Sequence, residues 1–268
     1  MKNLGFMQGR LVPQKKGIIQ SFPWKNWKDE FKIANKIGLN LMEWTLDYKG
    51  FYKNPINNKE GRKLINHLKK KYNIKVKSIT CDFFMQFPYF LKKNNKTYKM
   101  MKDLIINSKK INIKFLVLPL VDNGSLKNKK IEKKFINITH RLQKTLENNN
   151  IKIIFESDFS PTKLLNFINK FPKRNFGINY DSGNSAGQKI NFEEEKIYFS
   201  RVYNIHLKDK NLKNISVNLG DGIANFNELF NYCKKIKYKG NFIFQTARHK
   251  NDIGIMKKNI KFFKKFYA

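Results

Sequence analysis

Short apolar runs recur along the chain, each closing on a polar or small residue: NLGFMQ, LNLMEW, IKVKSITC, IKFLVLPL, IKIIFES, FGINYD, VYNIHL and NFIFQT. Their ends fall at Gln8, Glu43, Cys81, Pro119, Glu156, Asp181, His206 and Gln245. Successive ends are 35, 38, 38, 37, 25, 25 and 39 residues apart, near the length of a strand–helix repeat. The runs are mostly apolar on both faces, as parallel strands must be when helices cover them.

Between the runs the pattern changes to a helical period. WKNWKDEFKIANKIG sets Trp24, Trp27, Phe31, Ala34 and Ile37 on one face, with Gly38 placed to cap its C-terminus. NKEGRKLINHLKKKYN and NKTYKMMKDLIINSKKIN follow the second and third strands, and NKKIEKKFINITHRLQKTLENNN predicts the longest helix. SPTKLLNFINKF opens with Ser160 as N-cap and Pro161 at the first helical position. FEEEKIYFSR, NFNELFNYCKKIKY and DIGIMKKNIKFFKKFYA supply the last three. Eight strands alternating with helices predict an α/β fold, a (β/α)8 TIM barrel. An open doubly wound sheet is the competing arrangement. No internal linker divides the chain, so a single domain spanning 1–268 is expected.

Composition narrows the class. With 41% apolar and 14% aromatic residues the chain is globular. FLVLPLV, its most conspicuous apolar run, is far short of the roughly 18 residues that span a bilayer, so no membrane partner is expected. MKNLGFMQGR has no apolar core of a signal peptide, and Cys81 and Cys233 are too few for a disulfide framework. Both point to a cytoplasmic protein. The net charge of +35 resembles a nucleic-acid signature. Only six residues are Arg, however, and the Lys are scattered over every helix in a chain rich in Asn and Ile, the drift an AT-rich genome imposes. No specific nucleic-acid partner is expected, although such a surface attracts polyanions and helps to gather anionic substrates.

In barrels of this kind chemistry sits at the C-terminal ends of the strands. Those ends carry Glu43, Glu156, Asp181, His206 and Gln245, four ionisable groups among five that each offer a lone pair. Polar residues also mark where buried strands meet water, but that does not explain the absence of Ser, Lys or Asn at these five ends. Oxygen and imidazole donors together suit one divalent ion: Mn, Zn, Co or Mg.

The segments FESDF, NYDSGN, NIHLKDK and LGDGIANF, followed by a last strand ending beside Arg248, resemble the xylose isomerase-like TIM-barrel superfamily, in its sugar-phosphate isomerase/epimerase branch. GFMQGRL, QSFPWKNWKDEF and EWTLD are similar to members associated with surface-polysaccharide clusters. The resemblance covers the whole chain and rests on the order and spacing of its motifs. It implies a metal held by Glu156, Asp181 and His206, with Gln245 where the family has a fourth carboxylate. It implies Asn184 where many epimerases have a substrate-binding His, and Lys208 and Asp209 near metal and substrate. It also implies removal of a proton α to a carbonyl of a sugar or sugar phosphate, through an enediolate.

Glu156 is then the ligand and catalytic base. Gln245 can coordinate but cannot take up a proton, which favours one-base aldose–ketose isomerisation, or a second base from Glu43, Asp47 or Asp122. A barrel that has lost catalysis and serves as a scaffold is the alternative. An AP-endonuclease-like repair enzyme is a weaker one, because it needs many more His ligands than His206 and His249 supply. Gln8, Arg10, Glu43, Asp47 and Arg248 are further candidates for contact with the sugar, Arg248 as an anion contact.

Overall fold

The computed structural model describes residues 3–13, 20–91, 95–248 and 251–267. Among these residues there are ten strands: β1 (Leu4–Met7), β2 (Leu41–Thr45), β3 (Lys75–Thr80), β4 (Phe115–Leu120), β5 (Lys152–Ser157), β6 (Phe176–Asp181), β7 (Val202–Leu207), β8 (Asp209–Lys210), β9 (Ser216–Val217) and β10 (Asn241–Phe244). Eight close a parallel barrel in the order β1-β10-β7-β6-β5-β4-β3-β2, and all eight apolar runs of the sequence are these strands. β8 and β9 form a separate antiparallel ribbon in the excursion after β7, which the apolar pattern does not announce.

The helices fall between the strands with local differences. The first covers only Asp29–Lys36, because residues 24–28 form turns that tuck Trp27 into the core and leave Trp24 exposed. Gly38 follows it at φ +82°, a conformation glycine enters without a Cβ penalty. The longest predicted helix is broken into Lys129–His140 and Gln143–Asn149. Ser160 stands at the N-cap of Pro161–Ile168 but makes no side-chain cap bond, and Pro161 occupies the first turn. Short helices at Asp82–Gln86 and Ser182–Gly187 follow β3 and β6 directly.

The main core lies between barrel and helices, with Phe135, Phe155, Phe167, Phe171 and Phe176 packed edge-on and stacked within it. A second, small cluster of Met7, Leu41 and Ile243 packs apart from it, on strands β1, β2 and β10. By strand alternation Gly5 shares the face of Met7. A Cβ on Gly5 would sit 2.4 Å from the Leu41 carbonyl oxygen and 2.8 Å from its Cβ, so β1 and β2 approach as closely as only glycine permits. Gly5→Ala is expected to destabilise the barrel by about 1–3 kcal/mol, read as a lower midpoint in urea unfolding; an unchanged midpoint would show that β1 shifts freely.

Candidate metal centre and substrate cavity

The ends of β5, β6 and β7 bring Glu156, Asp181 and His206 together. One ligand atom from each lies within 4.8 Å of the others, and all three residues are buried. Register produces this: Asp181 is paired with His206 across β6 and β7, while β5 pairs with β4 through Glu156 and Pro119. Asp181 Oδ1 accepts the Asn184 backbone N–H at 2.8 Å, capping the short helix Ser182–Gly187. Asn184 Nδ2 donates to Glu156 Oε1 at 2.9 Å, so one residue holds both carboxylates.

A second polar row lies beneath. Asn179 and Asn204 each precede a site residue by two positions, hence point to the same face of their strands. Asn179 Nδ2 donates to Glu156 Oε2 at 2.9 Å, and Asn204 Nδ2 donates to Asn179 Oδ1 at 2.7 Å and to Glu43 Oε2 at 3.0 Å. Glu43 Oε1 lies 2.7 Å from His206 Nε2, and His206 Nδ1 lies 3.1 Å from Glu156 Oε2. Since β1 and β10 separate β2 from β7, these bonds cross the lumen. Burial alone would lower the His206 pKa, but Glu43 and Glu156 outweigh it and hold the ring well above the ordinary imidazole range.

The donor set fits a divalent ion. Among the buried oxygens that have no hydrogen-bond partner among the described residues are Asp181 Oδ2, Gln245 Oε1 and, in the tier beneath, Asn204 Oδ1. The nearest cation to the first is Lys208 Nζ, 3.9 Å away. An imidazole whose Nε2 faces a carboxylate while Nδ1 faces the other ligands is the usual arrangement of a metal-bound histidine, in which the outer carboxylate sets tautomer and basicity.

Above this centre lies a cavity of about 650 Å³. Its wall includes Glu156, Asn184, Lys208 and Gln245 from the expected site, and Gln20, Asp82, Asp122, Asp158 and Lys210 besides. Gln245 donates Nε2 to Gln20 Oε1 at 3.4 Å. Gln20 Nε2 in turn donates to Asp82 Oδ2 at 2.7 Å, and Thr80 Oγ1 donates to Asp82 Oδ1 at 2.8 Å. Burial pushes the Asp82 carboxyl up to about 6; the Gln20 bond opposes the rise, and nearby Asp47 and Glu156 add to it.

Several expected sugar contacts are turned to other work. Glu43 is fully buried with both oxygens bonded to Asn204 and His206, so it orients the histidine instead of meeting substrate. Asp209 is also buried, and its oxygens accept the N–H groups of Lys210, Gly220, Gly222 and Ala224, folding the loop that follows the ribbon. Asp47 accepts the Phe22 N–H at 2.8 Å and does not line the cavity. Gln8 Oε1 accepts the Thr45 N–H, tying β1 to β2.

Arg248 donates to the carbonyls of Gly9 and Val12 and pairs with Asp252 at 3.0 Å, so it clasps the loop after β1 where an anion contact was expected. Glu30 grips the same loop through the N–H groups of Gly9 and Leu11, and burial pushes its carboxyl up to about 8. Arg10 is buried beneath Gln20, donating to its Oε1 at 3.3 Å, and burial, helped by Arg248, lowers its pKa to about 10. His249 lies outside the described residues. His67 is in the helix Lys59–Lys71, and His140 stacks on Phe171.

Four residues were not foreseen: Asn179, Asn204, Gln20 and Asp82. An Asn inside an otherwise apolar strand, two positions before a site residue, is a usable signal for the first two. Asp82 stands one position beyond the strand end assigned to Cys81, in the first turn of the helix Asp82–Gln86.

The fold and this centre define a class. Residues 31–266 match the family model of the xylose isomerase-like TIM barrel, and the chain belongs to that family. Among solved structures it is similar to an IolI protein described with a bound zinc atom, at 16% identity and TM-score 0.78 over 99% of each chain. It is also similar to D-allulose 3-epimerase from Methylomonas sp. in complex with D-allulose, at 13% identity and TM-score 0.76 over 99% of this chain and 97% of that one. A third is 3-keto-D-glucoside 4-epimerase from E. coli, at 12% identity and TM-score 0.72 over 99% and 100%. No curated protein sequence matches. At these identities the likeness establishes the barrel.

If Glu43 sets the basicity of His206, Glu43→Gln is expected to weaken Mn²⁺ binding by about 10- to 100-fold, measured by titration calorimetry. Wild-type affinity in this variant would show that the cross-lumen bond does not govern the metal site.

Proposed function

We propose that the protein is a divalent-metal-dependent isomerase or epimerase acting on a sugar or sugar phosphate. The observation that carries this reading is the buried Glu156–Asp181–His206 trio, whose Glu156 lines the cavity of about 650 Å³. Glu156, Asp181 and His206 would hold the ion, with Gln245 offering its unpartnered amide oxygen as a fourth donor. Bound there, a divalent cation supplies charge stabilisation to the oxygens of a carbonyl and its neighbouring hydroxyl.

The chain's own residues do the rest. Glu156 takes the proton from the carbon next to the carbonyl, its carboxylate aimed by the amides of Asn179 and Asn184. Asn184 also lines the cavity, within reach of sugar hydroxyls. Lys208 and Lys210 contribute to the same wall, together with Gln188 and Asn214. Burial and the neighbouring Lys208 lower the Lys210 pKa, a destabilised cation that a phosphate would neutralise. This pair supports a phosphorylated substrate over a neutral one.

The rival reading is a metal-free scaffold, favoured by the amide at position 245. The endonuclease reading has little support, because His206 is the single histidine at this centre among the described residues.

The test is incubation with D-allulose, D-tagatose, D-fructose and their 6-phosphates in deuterated water with Mn²⁺. Deuterium is expected at the carbon next to the carbonyl, and Glu156→Gln is expected to slow its entry by about 10²- to 10⁴-fold. The scaffold reading prevails if the wild-type protein binds no divalent ion and Glu156→Ala alters neither stability nor turnover.

A further inference from the structure

Glutamine at 245 leaves the site one proton-transfer group short for any reaction that removes a proton from one face of a carbon and returns it to the other. Four carboxylates line the cavity: Asp82, Asp122, Glu156 and Asp158. Asp122 and Asp158 are exposed at the rim, and Asp158 accepts the Ser125 hydroxyl at 2.6 Å. Only Glu156 and Asp82 are buried, at 7% and 6% exposure. Glu156 lies on β5 and Asp82 just beyond β3, with β4 between the two strands, so they reach the cavity from different parts of the barrel rim.

We propose that Asp82 is the second acid–base group of this site, serving the side of the sugar carbon that Glu156 does not reach, with Gln20 as its positioning residue. The inference rests on the isomerase or epimerase reading above. Its ground is the linkage Gln245–Gln20–Asp82. The amide that cannot carry a proton donates to Gln20 Oε1, and Gln20 Nε2 holds Asp82 Oδ2. Arg10 anchors Gln20 from behind, and Thr80 fixes the other carboxylate oxygen. The charged groups acting on Asp82 are Asp47 and Glu156, which raise its pKa, and Arg10, whose own pKa Asp82 raises. A carboxyl held near 6 takes and releases protons readily at neutral pH.

The step balances without a co-reactant. Glu156 removes the proton; the C–H pair becomes the C=C bond of an enediolate and the carbonyl pair moves to oxygen. Asp82, as the acid, breaks its O–H bond and delivers that proton to the same carbon, whose C–H bond is rebuilt from the C=C pair as the carbonyl re-forms. Glu156 then returns its proton to water and Asp82 regains one.

The Mn²⁺-loaded protein is compared with Asp82→Asn and Gln20→Ala on the same sugars and sugar phosphates in deuterated water. Asp82→Asn is expected to keep deuterium entry at the α carbon and Mn²⁺ affinity while losing inversion at that carbon by at least about 10²-fold. Gln20→Ala, which keeps the carboxyl, is expected to displace the acidic limb of the pH–rate profile. In ¹³C NMR of aspartate-labelled protein, the signal missing from Asp82→Asn is expected to titrate near 6 and to move in Gln20→Ala. Wild-type inversion in Asp82→Asn, or titration of that signal in the ordinary carboxylate range near 4, overturns the proposal. A wild-type protein that exchanges no proton on any of these sugars overturns the isomerase reading instead, and Asp82 with it.

Discussion

The bond between His206 Nε2 and Glu43 Oε1 governs the upper half of the barrel. A buried carboxylate without partners is strongly unfavourable, and so is a buried imidazole between two carboxylates unless it carries positive charge or binds it. Asn204 and Asn179 extend the pair into a chain that reaches Glu156, satisfying one acceptor at each step. The lumen thus changes from apolar side chains around Met7, Leu41 and Ile243 to a hydrogen-bonded polar tier. Removing one member would leave its neighbour unpaired in a dry interior, so the tier behaves as a unit.

This also explains why the two faces of the site differ. Glu156, Asp181 and His206 are fixed from below by strands. Gln245, Gln20 and Asp82 are fixed from the side by loops and the first turn of a short helix. The first group has the rigidity that ion coordination demands, and the second has more freedom to follow a substrate.

Much of this was legible beforehand. The eight strands could be read because a parallel strand buried on both faces has few sequence solutions, and each closes on a residue that ends the apolar run. The trio was readable because strand ends in a barrel converge on one face. What a strand end does not reveal is whether its side chain is aimed upward to solvent or across the lumen. Glu43 and Asp209 look alike in sequence, yet one pins a histidine and the other four backbone N–H groups. Asn179 and Asn204 resemble weak points in their strands, since Asn disfavours strand conformation; only closure gives them partners. Asp82 escaped because its position follows a helical turn, outside the two-residue alternation that identifies inward-facing positions.

The cross-lumen bond joins residues 163 positions apart in the chain. On the ribosome, Glu43 emerges long before its partner, and a chain truncated anywhere ahead of β7 has neither the histidine nor the amide that pair with it. The proposed ion site is therefore completed only at the last stage of biogenesis, after seven of the eight barrel strands exist. A half-length translation product would lack Glu156, Asp181 and His206 altogether, and with them every member of the buried trio.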